Sequence, residues 1–301
     1  MGDEQCTLGL KVDVDTLVGY REGVPALLAQ LDAAGVRASF FFAVGPDRSG
    51  VAIRRVFTQR GFVGKMLRNH AASTYGLRTL LYGTLLPAPL IVASDEGILR
   101  AVAEARHEVG VHGWDHIGWL DGVGRMRPER LRDHLDRAFD AIARITGESP
   151  RSFAAPGWQC SPQSLAHHDE RGLTYASDVR GAGGPFLPRL AGRVYRTPQI
   201  PTCLPTLDEM WGLQVHDDLQ AAHRWSGMLG PGVNVLTAHA EIEGMAMRRA
   251  LPALLELAAE RGAQVRTLAE VALASDRRSL PVRTIAPGRL RCSQAWARPT
   301  G

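Results

Sequence analysis

Two hydrophobic patterns alternate along the chain and predict its elements. Short runs of apolar and β-branched residues have the length of buried strands, whereas apolar residues spaced three and four apart indicate helices. Strands are predicted at residues 8–16, 37–44, 107–112, 151–155, 175–178 and 233–239, with a short last one at 265 and an extended run at 194–204. Helices are predicted at residues 21–34, 95–105, 128–146, 162–171, 247–261 and 268–274, with further helical sequence at 207–228. About seven strands that alternate with helices are typical of a parallel α/β barrel, whose active site lies at the carboxyl ends of the strands.

Residues 45–95 interrupt this alternation and are too many for an ordinary connection, so we interpret them as an insertion. The insertion mixes apolar residues with basic ones, among them Arg54, Arg55, Lys65 and Arg68. A basic, apolar and partly helical segment can lie in a membrane interface, whereas the alternative is a helical hairpin packed on the barrel with a solvated basic face. We therefore expect one barrel domain at 1–275 that carries this helical insertion, followed by a loosely ordered tail at 276–301.

The composition is that of a soluble globular protein and narrows the choice of partner. The chain has 301 residues, 45% hydrophobic and 22% charged, with a formal net charge of +4. Nearly all basic residues are arginines, which grip phosphate through two hydrogen bonds and so fit a phosphorylated substrate or an anionic membrane surface. The absence of a basic run with interleaved aromatic residues argues against nucleic acid. The start shows no signal-peptide pattern, no run of about 18 apolar residues could span a membrane, and the cysteines show no CxxC spacing, so we expect a cytoplasmic protein.

Polar side chains gather where predicted strands end, and the first strand ends in two aspartates. Asp13 and Asp15 are two residues apart on an extended chain, so both carboxylates point to the same side. Two buried like charges so close together need a cation or a shared proton. The alternative is that Asp15 or Thr16 only caps the helix that follows.

Two histidines follow the third predicted strand. His112 and His116 are four apart, and on one helical turn both rings would reach the same ion. With Asp15 they make two imidazoles and one carboxylate, a set that leaves positions open on a divalent metal and suits zinc, manganese, cobalt or iron. The alternative is that the two histidines do not meet Asp15 and are an ordinary pair of surface histidines.

Three further polar residues follow the later strands. His239 ends the strand at 233–239 and, beside a metal, is a candidate general acid. Asp178 either holds the ring of His239 or caps a turn, and Glu241 is either a substrate contact or a solvated or supporting residue. The other histidines show no pairing with carboxylates at strand ends and receive no predicted role: His70, His107, His134, His167, His168, His216 and His223.

Five short motifs at these strand ends resemble, in chain order, those of the polysaccharide deacetylases of the nodulation type. They are Val12-Asp13-Val14-Asp15, His112-Gly113-Trp114-Asp115-His116, Pro156-Gly157-Trp158, Ser177-Asp178 and Leu236-Thr237-Ala238-His239. The resemblance implies a distorted (β/α)7 barrel and metal-dependent amide hydrolysis. Matched position by position, it implies Asp13 as general base and His239 as general acid. It also implies Asp15, His112 and His116 as ligands of one divalent metal ion.

The chain departs from that family at the third motif, where an arginine normally pairs with the base carboxylate. Ala154 or Ala155 stands at this position. We expect Arg180 to supply the missing positive charge beside Asp13. Asp178 would then either orient the general acid or pair with this arginine.

Longer shared segments cover nearly the whole chain and resemble one branch of the family. Among them are Arg21-Glu22-Gly23-Val24-Pro25 and His239-Ala240-Glu241-Ile242-Glu243-Gly244. Members of that branch hydrolyse the formamide of an amino-arabinose carried on undecaprenyl phosphate, for lipid A modification and polymyxin resistance.

The resemblance therefore implies an undecaprenyl-phosphate-linked sugar as substrate and a peripheral position on the cytoplasmic face of the bacterial inner membrane. The expected substrate contacts are Trp158, Arg54, Arg55, Lys65 and Arg68. The alternatives are a deacetylase of another N-acylated sugar and a non-catalytic protein that binds the lipid carrier.

Overall fold

The computed structural model describes residues 5–51, 79 and 81–286 of the chain. Its strands are β1 (Cys6–Val14), β2 (Ser39–Phe42), β3 (Glu108–Val111), β4 (Ser152–Phe153), β5 (Tyr175–Ala176), β6 (Leu187–Leu190), β7 (Arg193–Val194), β8 (Gly232–His239), β9 (Gln264–Arg266) and β10 (Val282–Thr284). Its α-helices are α1 (Val24–Ala33), α2 (Glu96–Glu104), α3 (His116–Gly122), α4 (Pro128–Thr146), α5 (Pro162–Arg171), α6 (Leu207–Met210), α7 (Asp218–Met228), α8 (Ala250–Glu260) and α9 (Leu268–Ala274). Two π-helical turns lie at Gly19–Gly23 and Ile242–Ala246, and a 3-10 turn lies at Pro156–Trp158.

A seven-stranded parallel sheet forms the centre of the fold. Six strands follow the order β5-β4-β3-β2-β1-β8, and β9 pairs with the first half of β1. Helices cover the sheet, so the predicted α/β barrel class is confirmed, in the form of a sheet that closes only part of a barrel. Because all seven strands run the same way, their carboxyl ends share one edge, and Asp13 on β1 is in register with His239 on β8.

Helix boundaries agree with the sequence where the ends carry strong local signals. Helices α4 and α5 have the predicted bounds, and both have proline in the first turn, where its fixed φ and missing N–H are tolerated. Both end at a glycine with positive φ, Gly147 at +79° and Gly172 at +65°. A glycine adopts that conformation without the steric cost that other residues incur.

The end of the chain differs from the prediction of a loose tail at 276–301. Within the described part, β10 pairs in parallel with β6, and β6 pairs antiparallel with β7. These strands form a small second sheet. Arg283 on β10 also donates to the carbonyl of Ala182 (2.7 Å) and lies over the ring of Phe186. The tail residues 282–284 are therefore ordered by strand pairing, which their local sequence did not indicate.

Hydrogen bonds to one carboxylate tie the amino ends of the strands together. Glu108 at the start of β3 accepts from the hydroxyls of Ser39, Ser152 and Tyr175, which belong to β2, β4 and β5. It also accepts from the backbone N–H of Ala269 in the first turn of α9, at 3.0 Å. This network stabilises the amino edge of the sheet, opposite the carboxyl edge at which the candidate catalytic residues lie.

The insertion lies mostly outside the described residues. Arg54, Arg55, Lys65 and Arg68 belong to the part that is not described, so their predicted contacts stay predictions, as does the choice between a packed hairpin and a membrane segment. Within the described ranges, no helix combines the length and the apolar character that crossing a bilayer requires.

Candidate active site

Three charged side chains lie on one side of the chain at the end of strand β1: Lys11 and Asp13 within the strand, and Asp15 one residue beyond it. Their spacing of two places them together because side chains alternate along a strand. Lys11 is fully buried and Asp13 is 4% exposed, so their charges lie away from bulk water. Asp15 comes one residue after the strand ends at Val14, where the chain turns toward the carboxyl edge.

Asp15, His112 and His116 form the group that could hold a metal ion. Asp15 Oδ1 lies 3.3 Å from His112 Nε2, and Asp15 Oδ2 lies 3.4 Å from His116 Nε2. One ligand atom from each residue falls within 4.8 Å of the others. Two ligand atoms bound at about 2.0–2.1 Å to one tetrahedral ion are about 3.4 Å apart. The three side chains are thus spaced as ligands of a common ion, and we predicted this set from the sequence.

The tautomer of His112 also fits a metal ligand. Its Nδ1 lies 2.7 Å from the carbonyl oxygen of Ala154, an acceptor, so Nδ1 carries a proton and Nε2 is the nitrogen that would bind a metal ion. Asp15 Oδ1 is buried without a hydrogen-bond partner among the described residues. Burial alone would raise the pKa of Asp15, but the imidazoles of His116 and His112 hold that pKa well below its usual range. An ionised carboxylate next to two imidazole nitrogens is a suitable ligand set for a divalent ion.

The backbone between the two histidines differs from the expected single helical turn. His112 follows β3 in an irregular segment, Gly113 has a φ of +88°, and only His116 begins helix α3. The side chain of Asp115 caps that helix by accepting from the N–H of Gly118 at 2.8 Å. The two rings converge, with centroids 5.3 Å apart, because a glycine permits the turn rather than because they share a helix face.

His134 on α4 supports this turn, although the sequence suggested no role for it. Its Nε2 accepts from the N–H of Trp114 at 3.0 Å, and a Cβ at Gly113 would lie 2.9 Å from the same nitrogen. Burial lowers the pKa of His134 to about 4. The ring is therefore neutral in the folded protein at neutral pH, and it accepts the bond through its lone pair.

Acid should weaken the fold through His134. A histidine with a folded-state pKa below its unfolded value of about 6.5 stabilises the protein above pH 6.5, and this contribution is lost as the pH falls toward the folded-state pKa. We expect the free energy of unfolding to fall by about 2 kcal/mol from this group between pH 7 and pH 5. Urea titrations of the protein and of His134→Gln, whose side-chain oxygen can accept the same bond without titrating, measure the difference. Equal pH slopes in the two proteins would contradict this role.

The cation beside Asp13 is Lys11, and the expectation that Arg180 pairs with this aspartate is wrong. Lys11 Nζ lies 3.2 Å from Asp13 Oδ2, whereas Asp13 Oδ1 is buried with no hydrogen-bond partner among the described residues. Arg180 lies 3.1 Å from Glu209, donates to the carbonyl of Leu204 at 2.9 Å, and stacks over an indole ring. The spacing of Lys11 and Asp13 on one strand was the signal that could have found this pair.

His239 stands at the end of β8, in register with Asp13. Its backbone N–H donates to Glu243 at 2.8 Å, and its Nδ1 is buried without a hydrogen-bond partner among the described residues. Burial works to lower the pKa of His239, but the carboxylates of Asp15, Asp208 and Asp13 raise it to about 9. A ring held among carboxylates on the strand next to Asp13 is suited to donate a proton.

Asp178 has neither of the partners expected for it. Its Oδ2 lies 3.1 Å from His168 Nε2 and accepts from the side-chain amide of Gln199 at 3.0 Å. All three side chains are fully buried. Asp178 is therefore bound to a histidine of α5, and this expectation is corrected. Neither His168 nor Gln199 was identified from the sequence, because they come from segments remote from the strand end.

Trp158 lies in the Pro156–Trp158 turn that follows β4. Its indole N–H donates to the hydroxyl of Thr202 at 3.2 Å, and the guanidinium of Arg180 lies 4.4 Å from the ring centroid. Lys11 Nζ lies 5.8 Å from the same ring. The indole thus lies close to both Lys11 and Arg180, and its predicted contact with substrate stays a prediction.

The fold and the site agree with one family of known proteins. Residues 12–176 match the sequence model of the family described as Polysaccharide deacetylase, and the chain belongs to this family of metal-dependent amide hydrolases. The family predicted from the motifs is confirmed.

Within this family, the chain is similar to several named proteins. The chain is 39% identical over 239 residues to the probable 4-deoxy-4-formamido-L-arabinose-phosphoundecaprenol deformylase ArnD of Shewanella sediminis, covering 79% of this chain and 76% of the relative. A protein of the same name from Wigglesworthia glossinidia brevipalpis is 29% identical, with 81% and 85% covered. Among solved structures, a probable polysaccharide deacetylase from Pseudomonas aeruginosa is similar in fold, with a TM-score of 0.62 at 15% identity over 90% of this chain and 91% of that one.

Proposed function

We propose that the chain hydrolyses the formamide of 4-deoxy-4-formamido-L-arabinose-phosphoundecaprenol to formate and the 4-amino sugar on its lipid carrier. The likeness to the Shewanella sediminis relative over 79% of the chain carries the proposal. Because a fold alone does not define an activity, the proposal also requires a working site. The grouping of Asp15, His112 and His116, with Asp13 and His239 in register nearby, supports one.

Asp15, His112 and His116 would hold one divalent ion, with zinc, manganese and cobalt as the candidates. When bound, such an ion polarises the formyl oxygen and lowers the pKa of a water molecule. Asp13 then acts as the general base through Oδ1, the oxygen that Lys11 leaves free. His239 acts as the general acid toward the sugar nitrogen.

The atoms of the reaction balance with these two proton transfers. The oxygen of one water molecule adds to the formyl carbon while Asp13 takes a proton from it. The carbon–nitrogen bond then breaks, and the nitrogen leaves with a proton from His239. Formic acid and the free amine result, and at neutral pH the acid loses a proton to give formate. Asp13 then gives up its proton and His239 regains one, which restores both groups. The amine is cationic at neutral pH, which suits the masking of lipid A phosphates and thereby polymyxin resistance.

The choice of formyl over acetyl as the acyl group is inferred from the named relatives. The two acyl groups differ by one methyl, and a pocket separates such groups by only about 1–3 kcal/mol. A direct assay decides the acyl group: the purified protein is stripped with chelator, reloaded with one metal at a time, and given formamido and acetamido forms of the sugar lipid. We expect metal-dependent release of formate from the first. Release of acetate alone would identify a deacetylase, and neither product would identify a protein that only binds the carrier.

The lipid carrier requires contact with a membrane, and we propose that the insertion provides it on the cytoplasmic face. Replacing both Lys65 and Arg68 with Ala should weaken sedimentation with anionic vesicles about 30-fold, since each basic residue near such a surface contributes about 1 kcal/mol. Arg132→Ala with Arg144→Ala removes the same charge from helix α4, where both side chains are more than half exposed, and serves as the control. Equal sedimentation of the two double variants would contradict docking through the insertion.

A further inference from the structure

Two π-helical turns pack against each other beside the candidate active site. The turn Gly19–Gly23 follows β1, and the turn Ile242–Ala246 follows β8. Glycines permit the close approach: a Cβ at Gly23 would collide with the carbonyl of Ala240, and one at Gly244 would lie 2.5 Å from the carbonyl oxygen of Gly23. Turns of this rare type are frequent at functional sites. The pairing joins the segment of Asp15 to the segment of His239.

Glu241 is the side chain that connects the two segments. Its Oε1 accepts from the N–H of Asp15 at 2.9 Å, from the N–H of Thr16 at 2.7 Å, and from the hydroxyl of Thr16 at 2.8 Å. The residue is 1% exposed. A Cβ at Gly19 would collide with this carboxylate, so the backbone of the first turn closes over it. Glu241 is therefore not solvated, and the contacts of its Oε1 are those of a supporting residue, one of the roles that the sequence left open.

The position of Asp15 in the chain explains why such support matters. Asp15 lies beyond β1, where no strand ladder holds the backbone. The N–H groups of residues 15 and 16 are instead fixed by Glu241, and that of Leu17 by Asp47 at 2.8 Å. Fixing these N–H groups fixes the direction of the Cα–Cβ bond of Asp15, and from that position the carboxylate reaches His112 and His116.

We propose that Glu241 is a positioning residue of the metal site, which orients Asp15 toward His112 and His116 through the backbone of residues 15 and 16. The inference rests on the proposed function for its relevance to catalysis, and its effect on metal binding can be measured separately. Removing a residue that orients a metal ligand typically weakens metal affinity by 10–100-fold.

The test compares Glu241→Ala with Glu241→Gln in the full-length protein. The dissociation constants for Zn²⁺ and Co²⁺ are measured by competition with a chelator, below the melting temperature of each variant. We expect the alanine variant to bind either ion 10–100-fold more weakly. The glutamine variant should stay within about threefold of the original protein, because its side-chain oxygen has two lone pairs and can accept from the same two backbone N–H groups. Unchanged affinity in a folded alanine variant would overturn the proposal.

A control and a second variant keep the test decisive. Asp169 is also a buried carboxylate that accepts from two successive backbone N–H groups, those of Arg196 and Thr197, but it lies on α5. Asp169→Ala should lower the melting temperature and leave metal affinity unchanged. If Glu241→Ala does not fold, Glu241→Asp, whose carboxylate is one methylene shorter, takes its place with the same expected loss. An original protein that binds metal but releases no formate would refute the proposed function and leave the metal-affinity result valid.

Discussion

Asp13→Asn is expected to reduce formate release by about 10²- to 10⁴-fold, the usual contribution of a positioned general base. The amide has the size of the carboxylate but cannot take a proton from water at neutral pH. Asp13 is not one of the three ligand residues, and its nearer oxygen is 3.9 Å from His112 Nε2, so the metal should remain bound. Turnover and metal content measured on the same preparation test both parts of the expectation.

Asp136→Asn is the matched control for this substitution. Asp136 is also an aspartate paired with a histidine, His167 at 2.9 Å, and with Arg171 at 2.6 Å, but it belongs to helix α4. Its turnover should equal that of the original protein. If Asp13→Asn kept its turnover with metal bound, Asp13 would not be the base. If it lost metal together with turnover, Asp13 would belong to the ligand set instead.

Lys11→Met should lower both stability and turnover. Lys11 is fully buried, and its ammonium is the cation next to Asp13. Removing one partner of a buried ion pair leaves the other charge uncompensated, which typically costs about 3–5 kcal/mol. In the metal-free protein we expect a loss of that size in the free energy of unfolding. Bound metal should reduce the loss, because it supplies positive charge close to the same carboxylate.

Turnover distinguishes a positioning role of Lys11 from a purely structural one. With Lys11 absent, both oxygens of Asp13 are free to rotate, so we expect kcat to fall at least tenfold at saturating metal while KM changes little. Lys11→Arg keeps the positive charge near the rings of Phe41 and Trp158, whose centroids lie within 6 Å of the ammonium, and should restore most of the turnover. Full turnover in a folded Lys11→Met variant would exclude this role.

Much of the site could be predicted because its residues lie next to strands with strong hydrophobic patterns. Asp13 lies near the end of an almost wholly buried strand, Asp15 follows that strand, and His239 ends another. The expectation that strand ends meet at one edge depends only on the strands being parallel. This is why Asp15, His112 and His116 could be grouped from the sequence, although the two rings converge through the turn at Gly113 and not through a shared helical turn.

The errors share a different physical cause. Arg180 was expected beside Asp13 because an arginine is missing from the third motif, but the electrostatic need is met from within β1 by Lys11. Asp178 was expected beside His239, whereas it pairs with His168, ten residues earlier on a helix. In each case several candidate partners lie near the carboxyl edge of the sheet, and residue types alone do not determine which of them forms the pair.

The sequence by itself determined the strands of the central sheet and most of the helices, the polar residues near the strand ends, and the chemical class of the ligand set, because these depend on local periodicity and residue chemistry. Only the tertiary structure decided which strand ends are neighbours and which buried charges are paired. It placed β8 beside β1, so that Glu241 reaches the backbone of Asp15 across 226 residues of sequence. Such contacts follow from strand order and close packing of the whole sheet, and no local window of the chain contains that information.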